Sequence, residues 1–165
     1  MTAVDAILAH VHSQAAEITA LIRAFVECES PSDDSAAVNR FVDLVADTVN
    51  PFARTRTIPG GKFGRQLMCE MTLPGRKKSG RILALGHSDT VWPMGTLRNM
   101  PFRQADGRLW GPGVLDMKSG IAFFIFAVRT LRELEIPVAS KVVLQLNSEE
   151  EVGSESSRPL TEKNA

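Results

Sequence analysis

Three short stretches carry side chains that could bind metal or move protons. They are Gly86-His87-Ser88-Asp89-Thr90, the loop from Gly111 to Gly120 (GPGVLDMKSG) with Asp116 in it, and Asn147-Ser148-Glu149-Glu150-Glu151-Val152-Gly153-Ser154. Singly, each has an ordinary structural reading. A histidine at a strand end serves core and surface roles as well as metal ones. An aspartate before a helix can be its N-cap, and a glutamate run is usually a solvated face. Their joint placement favours chemistry. Three adjacent glutamates at the end of a buried strand repel one another unless cations neutralise them. Residues two apart in a strand face the same way, so Asp89 can accept a hydrogen bond from His87 and fix the tautomer of a metal-binding imidazole. Imidazole nitrogen with carboxylate oxygen suits zinc, with cobalt or manganese as alternatives.

These stretches need a scaffold, and the hydrophobic pattern supplies one. Arg81 to Gly86 (RILALG) and Lys141 to Leu146 (KVVLQL) read as buried parallel strands, each running into one of the polar clusters. Between them, Lys118 to Glu133 reads as a strongly apolar helix. Strand, helix, strand predicts a right-handed βαβ unit in an α/β sandwich. The carboxyl ends of such strands are where functional groups collect. Upstream, Ile7, Leu8, Val11, Ala15, Ile18, Leu21, Ile22 and Phe25 recur at helix spacing, predicting one helix from about Val4 to Cys28. The turn Glu29-Ser30-Pro31-Ser32 ends it. Ser32 is read as the cap of a second helix, with Asp33 and Asp34 in its first turn and Val38, Phe41, Leu44, Val45 and Val49 on its apolar face, closed by Pro51. A short strand over Arg54–Ile58, a half-buried strand over Gln66–Leu73 and a solvated turn over Pro74–Gly80 complete the reading.

Composition narrows the function classes. The 165 residues are 44% hydrophobic and 23% charged, with 19 basic and 19 acidic side chains. Such a balance offers no field to draw nucleic acid or anionic membrane. The first residues, MTAVDAILAHVHSQAAEITAL, lack the basic region of a secretory signal, and no apolar run reaches the ~20 residues that span a bilayer. Cys28 and Cys69 are too few and too far apart for a disulfide framework or a CxxC zinc site. A cytoplasmic protein is expected. The Gly111-Pro112-Gly113 loop invites a nucleotide-binding reading but lacks both GxGxxG and the Walker lysine pattern. His10 and His12 lie in the first helix and are not read as ligands.

The wording GHSDTVWPMGTL (Gly86 to Leu97), PFRQADGRLWGPGVLDMKSGIA (Pro101 to Ala122) and NSEEEVGSESS (Asn147 to Ser157) resembles the zinc exopeptidase family. That family holds glutamate carboxypeptidase, aminoacylase, acetylornithine deacetylase and succinyl-diaminopimelate desuccinylase. The order and spacing of the three blocks match, Ser30-Pro31-Ser32 sits where the family commonly has it, and the glutamate carboxypeptidase branch is the most similar. The resemblance implies a three-layer α/β/α sandwich with a mixed, mainly parallel sheet. It implies two zinc ions, with cobalt or manganese possible, which polarise a scissile carbonyl and activate water. It makes His87 a ligand of one zinc, Asp116 the bridge between both and Glu151 a ligand of the second. Asp89 is implied as the carboxylate orienting His87, and Glu150 as the general base. Glu149 then holds a variable acidic position, and the peptide after Asp116 is often cis.

The substrate implied is a small peptide or N-acyl amino acid, with glutamate as the released residue. A deacylase acting on acetylornithine or succinyl-diaminopimelate is the alternative, and a non-catalytic remnant is a third reading. The resemblance implies five ligands, of which this sequence supplies three. Residues 1–165 are therefore expected to be the N-terminal part of a catalytic domain, without the lid domain through which a full-length form could dimerise. On that expectation this chain alone is inactive.

Overall fold

The computed structural model describes residues 2–165. Helix α1 covers Ala3–Ser13 and α2 covers Ala15–Glu27. The single helix predicted here is broken at Gln14 (φ −95°, ψ 5°). A tertiary contact accompanies the break: the Gln14 amide donates to the Glu133 carboxylate at 2.8 Å, which also pairs with His10 at 2.8 Å. Helix α3 covers Ser35–Val49. Its N-cap is Asp34, which accepts from the Ala37 N–H at 2.9 Å, and not Ser32 as expected. Its apolar stripe of Val38, Phe41, Val42, Val45 and Val49 is fully buried.

The strands are β1 (Ala53–Pro59), β2 (Arg65–Met71), β3 (Arg81–His87), β4 (Arg103–Ala105), β5 (Arg108–Trp110) and β6 (Lys141–Asn147). β4 and β5 form a separate hairpin, and the others make a four-stranded sheet in the order β1-β2-β6-β3. β3 runs parallel to β6, in register from Arg81 opposite Lys141 to His87 opposite Asn147. The β1–β2 and β2–β6 pairings are antiparallel. The sheet is thus mixed, as expected, but most of its pairings are antiparallel where parallel ones were expected. The reason is connection length. Only a few residues around Gly61–Phe63 separate β1 from β2, which permits a hairpin, whereas α4 (Ser119–Glu133) lies between β3 and β6 and permits a parallel crossover.

Burial follows strand position. β2 was expected to be half-buried, yet Gln66, Leu67, Met68, Cys69 and Met71 are all buried because the strand is central. β3 was expected to be buried, yet it is an edge strand with Ile82 and Leu85 about half exposed, and only its Gly86–His87 end is buried. Helices α2, α3 and α4 cover the sheet face bearing Leu67, Cys69, Met71, Val142, Leu144 and Leu146. On the opposite face, the Gln145 amide donates to Thr161 and accepts from Asn164, both on α5 (Arg158–Asn164). Among the described residues the second helical layer is therefore one short helix. The turn over residues 74–80 is largely exposed, as predicted, with Arg76 and Lys77 in solvent; Lys78 departs from that reading, its ammonium donating to the carbonyls of Leu73, Pro74 and Val138. Among the described residues no helix is long and apolar enough to cross a membrane.

Phe41 locks the helical layer to the site's underside. Its ring meets Phe25 edge-on with centroids 5.4 Å apart, and the Lys118 ammonium lies 4.4 Å from its centre. Phe41→Ala is expected to cost about 3–5 kcal/mol in denaturant unfolding. Phe123→Ala, on the 56% exposed side of α4, is expected to stay within about 0.5 kcal/mol of the unsubstituted chain.

Candidate metal centre

The parallel pairing of β3 and β6 brings His87 and Asn147 side by side at the carboxyl edge of the sheet. Ser88 continues the join, its N–H and hydroxyl both donating to the Asn147 carbonyl at 2.8 and 3.0 Å. Gly86 makes room above the strand end. A Cβ there would come within 3.0 Å of the Met117 methyl and sulfur and 3.1 Å of Leu146. Met117 fills that space and its sulfur accepts from the His87 N–H at 3.3 Å. Gly113 (φ +68°) opens the irregular turn Val114–Lys118; a Cβ there would sit 2.8 Å from the Thr90 methyl. Within this turn the Asp116-Met117 peptide is cis. Asp116 does not cap α4, which begins only after Lys118. Its carboxylate instead lies 2.9 Å from His87 Nε2.

One ligand atom each from His87, Asp116 and Glu151 fall within 4.8 Å of one another. His87 is buried, Glu151 half-buried and Asp116 exposed. The cluster is therefore walled by protein on the imidazole side and open to solvent on the other. One imidazole nitrogen and two carboxylate oxygens match the donor chemistry of zinc and related divalent ions, so the residues present fit a metal. Among the described residues no other such trio forms. His10 is engaged with Glu133 and Gln14, away from this group.

Asp89 sits behind the cluster and is almost wholly buried. Its carboxylate accepts from the Ser32 hydroxyl at 2.6 Å, the Glu150 N–H at 3.1 Å and the Glu151 N–H at 3.2 Å. His87 Nδ1 lies 3.3 Å from this carboxylate and 3.0 Å from the Asp89 carbonyl. The carboxylate contact expected from the sequence is present, and the main chain of the same residue makes the shorter one. Both point Nε2 toward Asp116.

The electrostatics are mutually dependent. Burial opposes the charge on His87, but its hydrogen bonds to Asp89 and Asp116 outweigh that and bring its pKa up to about 9. Burial likewise works against ionised Asp89, and hydrogen bonds from His87, Ser32 and the Glu150 N–H hold it below the usual range nonetheless. Glu151 is pushed up, first by burial and then by Asp116, Asp89 and Glu150, with His87 opposing. A cation held by these groups would relieve this crowding of carboxylates.

The glutamate run is sorted by a tight turn over Glu150–Val152. Glu149 is buried and accepts from the Ser157 N–H at 2.8 Å and the Ser148 hydroxyl at 3.2 Å. Glu150 is exposed, and Glu151 joins the cluster. Sequence reasoning missed the buried partners of Glu149, the Met117 sulfur on His87 and the role of Ser32. It also missed Lys118, whose ammonium donates to the Cys28 carbonyl at 2.6 Å. No periodicity signals them, because each is a contact made by the folded chain.

Comparisons with known proteins bear on the family and the fold. Residues 83–165 match the model of the peptidase family M20/M25/M40. Carboxypeptidase G2 of Pseudomonas sp. strain RS-16 is 33% identical over 84 residues, which are 51% of this chain and 20% of that protein. A succinyl-diaminopimelate desuccinylase of Corynebacterium glutamicum is 31% identical over 111 residues, 67% of this chain and 27% of that protein. Among solved structures, human carnosine dipeptidase 1 superposes with a TM-score of 0.83 at 22% identity, covering 96% of this chain and 37% of that one. The M20 metallo-carboxypeptidase Sso-CP2 of Sulfolobus solfataricus gives 0.63 at 18% identity, covering 90% and 35%. The structural likenesses establish the fold, and the chain matches only about a fifth to a quarter of the length of these curated relatives. With half of its residues matched to the family model, including all of the cluster, this chain belongs to the peptidase family M20/M25/M40.

Proposed function

We propose that this chain supplies His87, Asp116 and Glu151 to a two-zinc centre that hydrolyses the amide bond of a small peptide or N-acyl amino acid, with glutamate released. The observation that carries the reading is the convergence of the three side chains within 4.8 Å at the carboxyl edge of the sheet. Zinc bound there, or cobalt or manganese in its place, would polarise the scissile carbonyl and activate water. His87 is held in one tautomer by Asp89 behind it and offers Nε2 to the metal. Asp116 directs one oxygen toward His87, which leaves the other for a second ion. Glu151 would serve as a ligand of that second ion. Glu150 is exposed beside the centre and outside the ligand trio. It is therefore free to take a proton from the attacking water and return it to the leaving amine.

The likeness to carboxypeptidase G2 supports glutamate as the released residue. A second reading, a deacylase acting on N-succinyl-diaminopimelate, is supported by the longer match to the Corynebacterium desuccinylase. Both share the same metal centre and the same roles for the five residues.

Glu151→Gln is expected to lower bound zinc, measured by metal analysis after dialysis. Glu150→Gln is expected to leave zinc nearly unchanged and, wherever the protein turns over substrate, to slow it by roughly 10²–10⁴-fold. The reverse pattern would move the assignments by one residue. Wherever the protein turns over substrate, rates on an N-acyl-glutamate and on N-succinyl-diaminopimelate, measured side by side, are expected to favour the first; preference for the second establishes the deacylase reading.

A further inference from the structure

Ser32 has a hydroxyl that none of the assignments above uses. It lies in the turn before α3 and is 8% exposed, yet Asp34 is the residue that caps the helix. The turn is fastened to the end of β3 by its main chain: Ser32 N–H donates to the Thr90 carbonyl at 3.2 Å, and Thr90 N–H donates to the Ser30 carbonyl at 2.9 Å. This fastening leaves the Ser32 hydroxyl facing Asp89, to which it donates at 2.6 Å. That is the shortest contact on this carboxylate and falls in the range of charge-assisted O–H···O⁻ bonds.

The two Asp89 oxygens have divided duties. Oδ2 accepts from Ser32 and from the Glu151 N–H, whereas Oδ1 accepts from the Glu150 N–H and faces His87 Nδ1. Rotation of the carboxylate about its own axis would disturb both sides together. The Ser32 hydroxyl is the only one of these donors that belongs to neither the histidine segment nor the glutamate segment. It reaches the pair from a turn more than fifty residues away, at a sequence separation of 57.

We propose that Ser32 is a positioning residue of the metal centre: it holds the Asp89 carboxylate in the one rotation that orients His87 and presents Glu151 together. The inference rests on the metal-binding role of His87, Asp116 and Glu151. Without the hydroxyl, a buried carboxylate loses a strong donor and is free to turn toward those that remain. Outer partners of metal ligands of this kind typically contribute 10–100-fold in affinity.

The test is a titration with Co2+ followed by visible absorption, which reads ligand geometry without reference to turnover. Folding of each variant is verified by far-UV circular dichroism. Ser32→Ala is expected to bind Co2+ roughly tenfold more weakly and with an altered spectrum, and Ser32→Thr, which keeps the hydroxyl, to restore both. Asp34→Ala removes the true cap of α3 and is expected to lower thermal stability while leaving Co2+ affinity unchanged. If Ser32→Ala does not fold, Ser32→Gly replaces it in the comparison. Unchanged affinity and spectrum in the Ser32 variant would overturn the proposal, as would an equal weakening in Asp34→Ala, which would make affinity a readout of fold stability. Failure of the unsubstituted protein to bind Co2+ would be a different result, removing the metal reading itself and this inference with it.

Discussion

A carboxylate removed from water must be solvated by the protein, and the buried Asp89 is solvated by three separate segments. The Ser32 hydroxyl, the Glu150 and Glu151 amides and the His87 ring all converge on it. In satisfying this one charge, the fold ties the turn before α3, the end of β3 and the turn after β6 into a single body. The ligand cluster is built on top of that body. The positions of His87 and Glu151 relative to each other are thus tied to the anion that both segments contact.

The wider architecture serves the same end. A parallel β3–α4–β6 crossover places two strand ends next to each other, and the turn into α4 passes over them. That turn cannot be a simple helix start, because Asp116 must leave helical geometry (φ −119°, ψ 102°) for its carboxylate to face the imidazole. Lys118 then anchors the far side of the turn. Its ammonium is bonded to the Cys28 carbonyl and stacked over Phe41, and burial lowers its pKa to about 8. The apolar layer and the turn that carries Asp116 are joined through this lysine.

Like charges are managed by separation in direction. Glu149, Glu150 and Glu151 are consecutive, yet one is buried on hydrogen bonds to Ser148 and Ser157, one faces solvent and one faces the cluster. Their main-chain amides add compensation, since those of Glu150 and Glu151 point at Asp89. A run that would repel itself on a flat strand is accommodated because the chain turns at its first member.

Much of this was legible in the residues. The apolar runs located β3, α4 and β6, and polar clusters at strand ends pointed to the carboxyl edge, because side-chain periodicity and strand direction are local properties. The order of the three blocks likewise identified the family to which the chain belongs. What local pattern could not hold is anything decided by a partner distant in the chain. The break at Gln14 accompanies its bond to Glu133 on another helix. The half-open state of β3 reflects its place at the sheet's edge, and the antiparallel majority reflects which strands became neighbours. Ser32 looked like a helix cap because serine before a helix has that local use. Only the folded chain, by pairing its turn with Thr90, brought its hydroxyl to a buried anion and gave it another.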